Sequence, residues 1–261
     1  AHPTATAVTI AVSGSGNANN GDVVTLTIDP SEAIGTPTCT WTDGSGAMAD
    51  TSVTYGTTGD DSHTAAVTVA DADEDGAVGF SCTFSDTAGN AVASAVTALT
   101  AGSAITIDNT HPSITGVTAA WGTHLNAAED DADKTITITT SGAEDGQTVT
   151  TTINSVTDTC TVNTNACTIT YAASDMASLS SGTSYTIAVD VSDAASNAAT
   201  QNTGTSFIYD PTLPTISSIA VTGVTSGQYG NSGTYTVVVT ASETLTAAPT
   251  LTLSGLSLIH I

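Results

Sequence analysis

Ile107-Asp108-Asn109-Thr110-His111-Pro112-Ser113-Ile114-Thr115-Gly116-Val117 returns 102 residues later as Tyr209-Asp210-Pro211-Thr212-Leu213-Pro214-Thr215-Ile216-Ser217-Ser218-Ile219. His2-Pro3-Thr4-Ala5-Thr6-Ala7-Val8 echoes the middle of the same segment. A Pro-bearing joint that recurs at about the length of one small domain marks a tandem array. The joints divide the chain into expected units at 1–106, 107–209 and 210–261, the last stopping about halfway through a repeat. Leu256-Ser257-Leu258-Ile259-His260-Ile261 resembles the frame translation of a transposon mosaic-end sequencing adapter. Residues 256–261 are therefore expected to be a scar and are set apart from fold reasoning.

Between the joints, apolar and polar residues alternate with period 2, and no amphipathic helix of useful length is visible. Val8–Val12, Val23–Ile28 and Ala65–Val69 read as strands of the first unit, and Lys134–Thr139, Val149–Ile153 and Tyr185–Val191 as strands of the second. Cys39-Thr40-Trp41 and Phe80-Ser81-Cys82 each set a cysteine and an aromatic ring on one strand face, which predicts the buried face. A disulfide between strands beside a tryptophan fits an immunoglobulin-like sandwich, although here Trp41 follows its cysteine by two residues and does not lie on the next strand. The fold class is thus all-β, as tandem immunoglobulin-like β-sandwiches. Ala173–Leu179 is the one expected helical turn, with Ser174 as its N-cap. Ser85-Asp86-Thr87-Ala88-Gly89-Asn90 and Ser192-Asp193-Ala194-Ala195-Ser196-Asn197 are expected to turn the last hairpin of each unit.

The 261 residues carry 25 acidic side chains against one lysine (Lys134) and no arginine, a formal charge of -24. With so little basic charge, phosphates cannot be neutralised, which excludes nucleic acid and anionic membrane surfaces as partners. Self-repulsion at this charge calls for bound Ca²⁺, high ambient salt, or dilution of the charge along a rod. Four cysteines in such a chain predict two disulfides and an extracellular or cell-surface setting. Three connectivities are possible. The local one pairs Cys39 with Cys82 and Cys160 with Cys167, the latter facing each other across a hairpin with an Asn-rich turn. No Asn-x-Ser/Thr acceptor occurs; the abundant Thr and Ser leave O-glycosylation as an expectation, beside the reading of Thr as a good strand-surface residue.

These residues resemble the bacterial Ig-like repeats of very large secreted adhesins and biofilm proteins. The resemblance rests on the Asp-x-Ala-Gly/Ser-Asn turn, the Asp-x-x-x-Pro-x-Ile joint, Leu125-Asn126-Ala127-Ala128-Glu129 ahead of a Thr-rich strand, and Ser178–Tyr185 before the penultimate strand. It is best over 107–209. The first and third units resemble a related subtype through Ser31-Glu32 and Pro37-Thr38-Cys39-Thr40-Trp41, matched by Ser242-Glu243 and Pro249-Thr250-Leu251-Thr252-Leu253. The resemblance implies a structural role in an extracellular fibre or adhesin stalk, with Ca²⁺ stiffening the joints. It places Asp108 with Asp86, and by repetition Asp210 with Asp193.

Asp71-Ala72-Asp73-Glu74-Asp75-Gly76 has spacing that could wrap three carboxylates round one Ca²⁺. The twelfth position of an EF-hand would be Cys82 and not a bidentate Glu, so that motif is rejected. The remaining readings are a Ca²⁺ turn on Asp71, Asp73 and Asp75, or a solvated acidic turn. Glu129-Asp130-Asp131-Ala132-Asp133 forms a second acidic cluster, followed at once by Lys134. No nucleophile elbow, phosphate loop or dinucleotide fingerprint is present, and an enzyme is not expected. Trp121, in a Gly-containing loop, is a candidate platform for a glycan, the alternative reading being an adhesive module that binds glycan or protein. The expected partners are copies of the chain or neighbouring Ig-like domains.

Overall fold

The computed structural model describes residues 1–14, 16–58, 61–223 and 236–252. The segment 256–261, set apart above, lies outside them. In the first unit β1 (Ala5–Val12), β2 (Val23–Pro30), β4 (Thr54–Thr58) and β5 (Ser62–Thr68) form one antiparallel sheet in the order β1-β2-β5-β4. β3 (Thr38–Thr42) pairs with β7 (Gly79–Thr83), and the two-residue β6 (Gly76–Ala77) pairs with β8 (Thr106–Ile107). Alternation decides which face is buried: Val24, Leu26 and Ile28 of β2 and Ala65 and Val67 of β5 are almost wholly enclosed, while the intervening Thr25, Thr27 and Ala66 are not. Against them pack Trp41, Phe80, Cys39 and Cys82. Cys39 and Cys82 are directly opposite one another on β3 and β7 and are disulfide-bonded, with Cα atoms 4.1 Å apart. The bridge therefore staples two strands of one sheet; in antibody domains it joins the two sheets.

The second unit has a three-stranded sheet, β14-β11-β9, and a five-stranded one, β10-β16-β15-β12-β13. Its strands are β9 (Ser113–Ala119), β10 (His124–Asn126), β11 (Lys134–Ser141), β12 (Thr148–Ile153), β13 (Val156–Thr161), β14 (Ala166–Tyr171), β15 (Thr183–Val191) and β16 (Asn202–Asp210). Ile136, Ile138, Val149, Ile169, Ile187 and Val189 fill the space between the sheets. Cys160 and Cys167 are bonded, but not across one ladder as the sequence predicts. β13 belongs to the sheet of β12 and β14 to that of β11, so the bridge ties two sheet edges together, with Cα atoms 5.9 Å apart. The reason is local. The turn itself is hairpin-like, Asn163 pairing with Ala166 around Thr164 and Asn165 at positive φ, but beyond it β13 pairs with β12 and β14 with β11, so the two arms part into different sheets.

Two local expectations change. A four-residue helix α1 (Ala127–Asp130) follows β10, held by a capping box in which Asn126 and Glu129 bond each other's backbone. Ser174 is not a cap: the 3-10 turn Ala173–Met176 begins one residue earlier, and Asp175 reaches back to the Ala172 N–H at 2.8 Å.

The third unit opens with β17 (Ile216–Thr222) and β18 (Thr236–Ala241). Ile219 opposite Val239 and Val221 opposite Val237 reproduce the register of Val8 with Ile28 and Ile10 with Leu26, 211 residues earlier. Thr215 N–H donates to Ser242 Oγ at 2.9 Å as Thr4 N–H donates to Ser31 Oγ at 3.0 Å. This pair of strands therefore repeats the opening pair of the first unit.

Candidate functional site: the joint between the first two units

The first unit ends in loops that grip the joint through side-chain amides and carboxylates. Asn109 donates from Nδ2 to the carbonyl oxygens of Ala70 and Asp73, each at 2.9 Å, and its N–H donates to Asp75 Oδ1 at 2.6 Å. Thr110 Oγ1 donates to the other oxygen of Asp75. From the strand side, Asp108 N–H donates to Ala18 O at 2.9 Å. Asp73 is itself buried and accepts the Ala49 and Ala70 N–H groups, fixing the loop on which Asp75 stands. Asp43 braces the same loop from outside, accepting the N–H groups of Glu74, Ser45 and Gly46, which hold its carboxyl at about 2. Gly76 has φ 146, and a Cβ there would lie 2.7 Å from Gly44 Cα, so the two loops touch backbone to backbone.

The second unit grips the same segment from the other side. Asn197 Nδ2 donates to Asp108 O at 2.7 Å and to Asp193 Oδ2 at 2.9 Å, and its N–H donates to Asp193 Oδ1 at 2.8 Å. Asp193 and Asn197 are both 4 % exposed. His111 Nδ1 meets Ala198 O at 2.8 Å, and the first unit has the same lock between His2 Nδ1 and Ala91 O, also 2.8 Å. One asparagine side chain thus reaches from the joint into the first unit, and the other reaches from the second unit to the joint.

Three carboxylates gather here. Burial pushes the Asp108 carboxyl up, and the charges of Asp193 and Asp75 push it further. Asn109 Oδ1 is buried and accepts no hydrogen bond. Among the described residues no three His, Cys, Asp or Glu side chains are close enough to make a preformed metal cage.

The pairing expected from the resemblance is one unit out of step. Asp108 meets Asp193, of the unit it leads into, and not Asp86. Asp86 is bonded within its own turn, where the Asn90 side chain and N–H lower its carboxyl. Asp210 accepts the Thr212 N–H at 3.2 Å and lines a cavity of about 650 Å³ at the second joint with His124, Asn126, Leu213 and Glu243. Asp71 is exposed at the head of its loop, and Asp73 and Asp75 turn to different partners. The oxygens of the 71–75 segment therefore serve loop and joint. Trp121 is no exposed platform: it is 8 % exposed and stacks edge-on against Phe207 at 5.2 Å, its loop folding the ring into the core. Asn109 and Asn197 are functional candidates that acidity did not point to. The signal for the first was the Asp-Asn pair inside the repeated joint.

The units have two facing sheets, an entry strand that crosses from one sheet to the other, and a core between them. This chain is a tandem of Ig-like domains. Among solved structures it is similar to a Ca²⁺-stabilized adhesin that helps an Antarctic bacterium reach out and bind ice, at 29% identity and TM-score 0.46, covering 85% of this chain and 54% of that one. It is also similar to a structure addressing host cell surface retention of a 1.5-MDa bacterial ice-binding adhesin, at 22% identity and TM-score 0.41, covering 85% and 71%. A bacterial immunoglobulin-like domain from the M. primoryensis ice-binding adhesin matches at 32% identity and TM-score 0.28, over 36% of this chain and 94% of that domain. The chain spans about half the length of the first of these. No family model matches it. No curated protein does either. No helix among the described residues is long and apolar enough to cross a membrane.

Proposed function

We propose that this chain is a length of extracellular stalk, of a surface adhesin or fibre, whose Ig-like domains are held end to end by ordered joints. One observation carries the reading: Asn109 and Asn197 hold one joint from both sides, so the connection between domains is a bonded element and not a loose linker. A chain of small domains joined this way holds its direction over distance, which a stalk requires. Two disulfides and a chain whose single basic side chain, Lys134, is itself buried suit an oxidising, protease-rich exterior.

Calcium belongs to this proposal. Asp75, Asp108 and Asp193 bring three negative charges to one joint, and Asn109 supplies a buried oxygen with no donor. Hard oxygen donors of this kind suit Ca²⁺, which accepts mixed carboxylate and amide ligands in flexible geometry. The ion would neutralise the mutual repulsion and tie the turn of one domain to the loop of its neighbour. Calorimetric melting in CaCl₂ and in chelator tests it. At calcium a hundredfold above Kd, stabilisation by about 2.7 kcal/mol is expected, and Asp108→Asn should abolish the difference. Identical melting with and without calcium removes the ion from the mechanism and leaves the asparagine clasp.

O-glycans on the exposed threonines are compatible with the same reading, and intact mass with its sugar increments tests them. The alternative of a glycan-binding module loses its best candidate, because Trp121 is in the core.

A further inference from the structure

We propose that the peptide bond between Asp210 and Pro211 is a self-cleaving site, set by its turn to part the second and third units in acid. The chemistry stands apart from the stalk reading, which supplies only its consequence.

An aspartate ahead of a proline can turn its carboxylate on its own main-chain carbonyl. The proline nitrogen, a tertiary amide with no N–H, takes a proton and departs more readily than an ordinary amide nitrogen. The chain has two such bonds, Asp29–Pro30 and Asp210–Pro211. All four residues are half-buried, so exposure does not separate them. Their hydrogen bonds do.

The first bond lies inside the β1–β2 ladder, with Asp29 opposite Ala7 and Pro30 opposite Ala5. The Asp29 carboxylate is drawn across the sheet to the Ser62 hydroxyl, and its carbonyl oxygen accepts from Thr6 Oγ1 at 2.9 Å. The N–H two residues on, at Ser31, is committed to Thr4 O at 2.8 Å. This carboxylate is anchored to a neighbouring strand and held off the bond it would attack.

At the second bond Asp210 is the last residue of β16, and Pro211 stands outside any strand. Here Oδ1 accepts the Thr212 N–H at 3.2 Å, closing an Asx turn whose ring contains the 210–211 peptide bond. The side chain is thereby folded toward that bond. Asp210 also lines the cavity of about 650 Å³ at the second joint, which is roomy enough for water and whose titratable neighbours are His124 and Glu243. The first joint is a built-in control. Asp108 makes the same turn, accepting the Thr110 N–H at 3.3 Å, but Asn109 follows it and offers only an ordinary amide nitrogen.

In the reaction a carboxylate oxygen of Asp210 bonds to the Asp210 carbonyl carbon and closes a cyclic anhydride. The C–N bond breaks with its electron pair going to the Pro211 nitrogen, which takes up a proton from the acid. Water then opens the anhydride, leaving Asp210 with a free α-carboxyl and Pro211 with a free secondary amine. Both disulfides lie ahead of residue 210, so no covalent link spans the break. In a stalk, acid would release the chain from Pro211 onward and leave the first two units whole.

Treatment of the intact, oxidised chain at the lowest pH where its circular dichroism spectrum stays native tests this, with intact mass as the readout. Fragments 1–210 and 211–261 should form roughly tenfold or more faster than 1–29 and 30–261. In the same acid with guanidinium chloride, which removes turn and ladder alike, the two bonds should break at similar rates. Pro211→Ala keeps the carboxylate and should suppress the cut, and no chain should break after Asp108. Equal rates at the two bonds in the folded chain overturn the proposal. So does a folded chain that shows no cut after Asp210, or a Pro211→Ala chain cleaved as fast as the parent. Any of these failures leaves the stalk reading standing, because the order of the joints does not depend on this bond.

Discussion

Asn197 and Asn90 occupy the same place in the same turn motif, yet their replacement by alanine should have very different consequences. Asn197→Ala removes a hydrogen bond to Asp108 O and another to the Asp193 carboxylate, in a site where both Asn197 and Asp193 are 4 % exposed. A neutral bond contributes about 1 kcal/mol and one to a charged group about 1.5–3, so a loss of about 3 kcal/mol is expected. Asn90→Ala removes one bond, to Asp86 Oδ2 in an exposed turn, where water takes its place and little is lost. For domains of about 100 residues this means roughly 12–24 °C for the second domain against a far smaller shift for the first. Differential scanning calorimetry of the whole chain separates the transitions, and each variant should move only its own. Equal shifts would refute the argument that the joint, and not the turn, gives this asparagine its weight.

Other predictions follow from the same geometry. Cys39→Ser with Cys82→Ser should destabilise the first domain by about 4 kcal/mol, and Cys160→Ser with Cys167→Ser the second by about 2.4, because the closed loops differ in length; chemical denaturation of each pair of variants checks this. Trp121→Ala should cost about 3–5 kcal/mol by leaving a cavity against Phe207, read from thermal melting; a normal midpoint would mean the ring is not core. Asp43 titrates at about 2 against an ordinary 3.8, so its contribution is complete above about pH 4 and is lost as pH falls through about 2. Asp43→Asn should therefore flatten the acid limb of the first domain's stability between those values, and a limb that stays as steep would contradict the assignment.

The fold was legible because its signals are local and periodic. Alternation in Val23–Ile28 and Lys134–Thr139 named the buried faces, and the doubled joint showed that the units repeat. Sheet membership was not legible in the same way. The hairpin signal around Cys160 and Cys167 named the turn but could not show that its two arms part into different sheets, since that depends on which neighbours β13 and β14 find. Trp121 failed for a similar reason: a Gly-containing loop reads as exposed, and only Phe207, 86 residues away in sequence, draws the ring inward. At the joint, the family resemblance drew attention to Asp108 but placed it with the preceding turn. A domain's last hairpin turn lies at the end where its chain enters, so Asp108 meets Asp193 of the domain that follows. The asparagines carry no charge signal, and their role follows from geometry alone.

Small-angle X-ray scattering of the intact chain, in calcium and after chelation, is the most direct test of the stalk. The account predicts the profile of an extended particle with a narrow cross-section and a fixed maximum dimension in calcium, broadening toward a flexible ensemble in chelator or in Asn109→Ala. A compact particle with domains packed side by side, or equal flexibility under all three conditions, would contradict it.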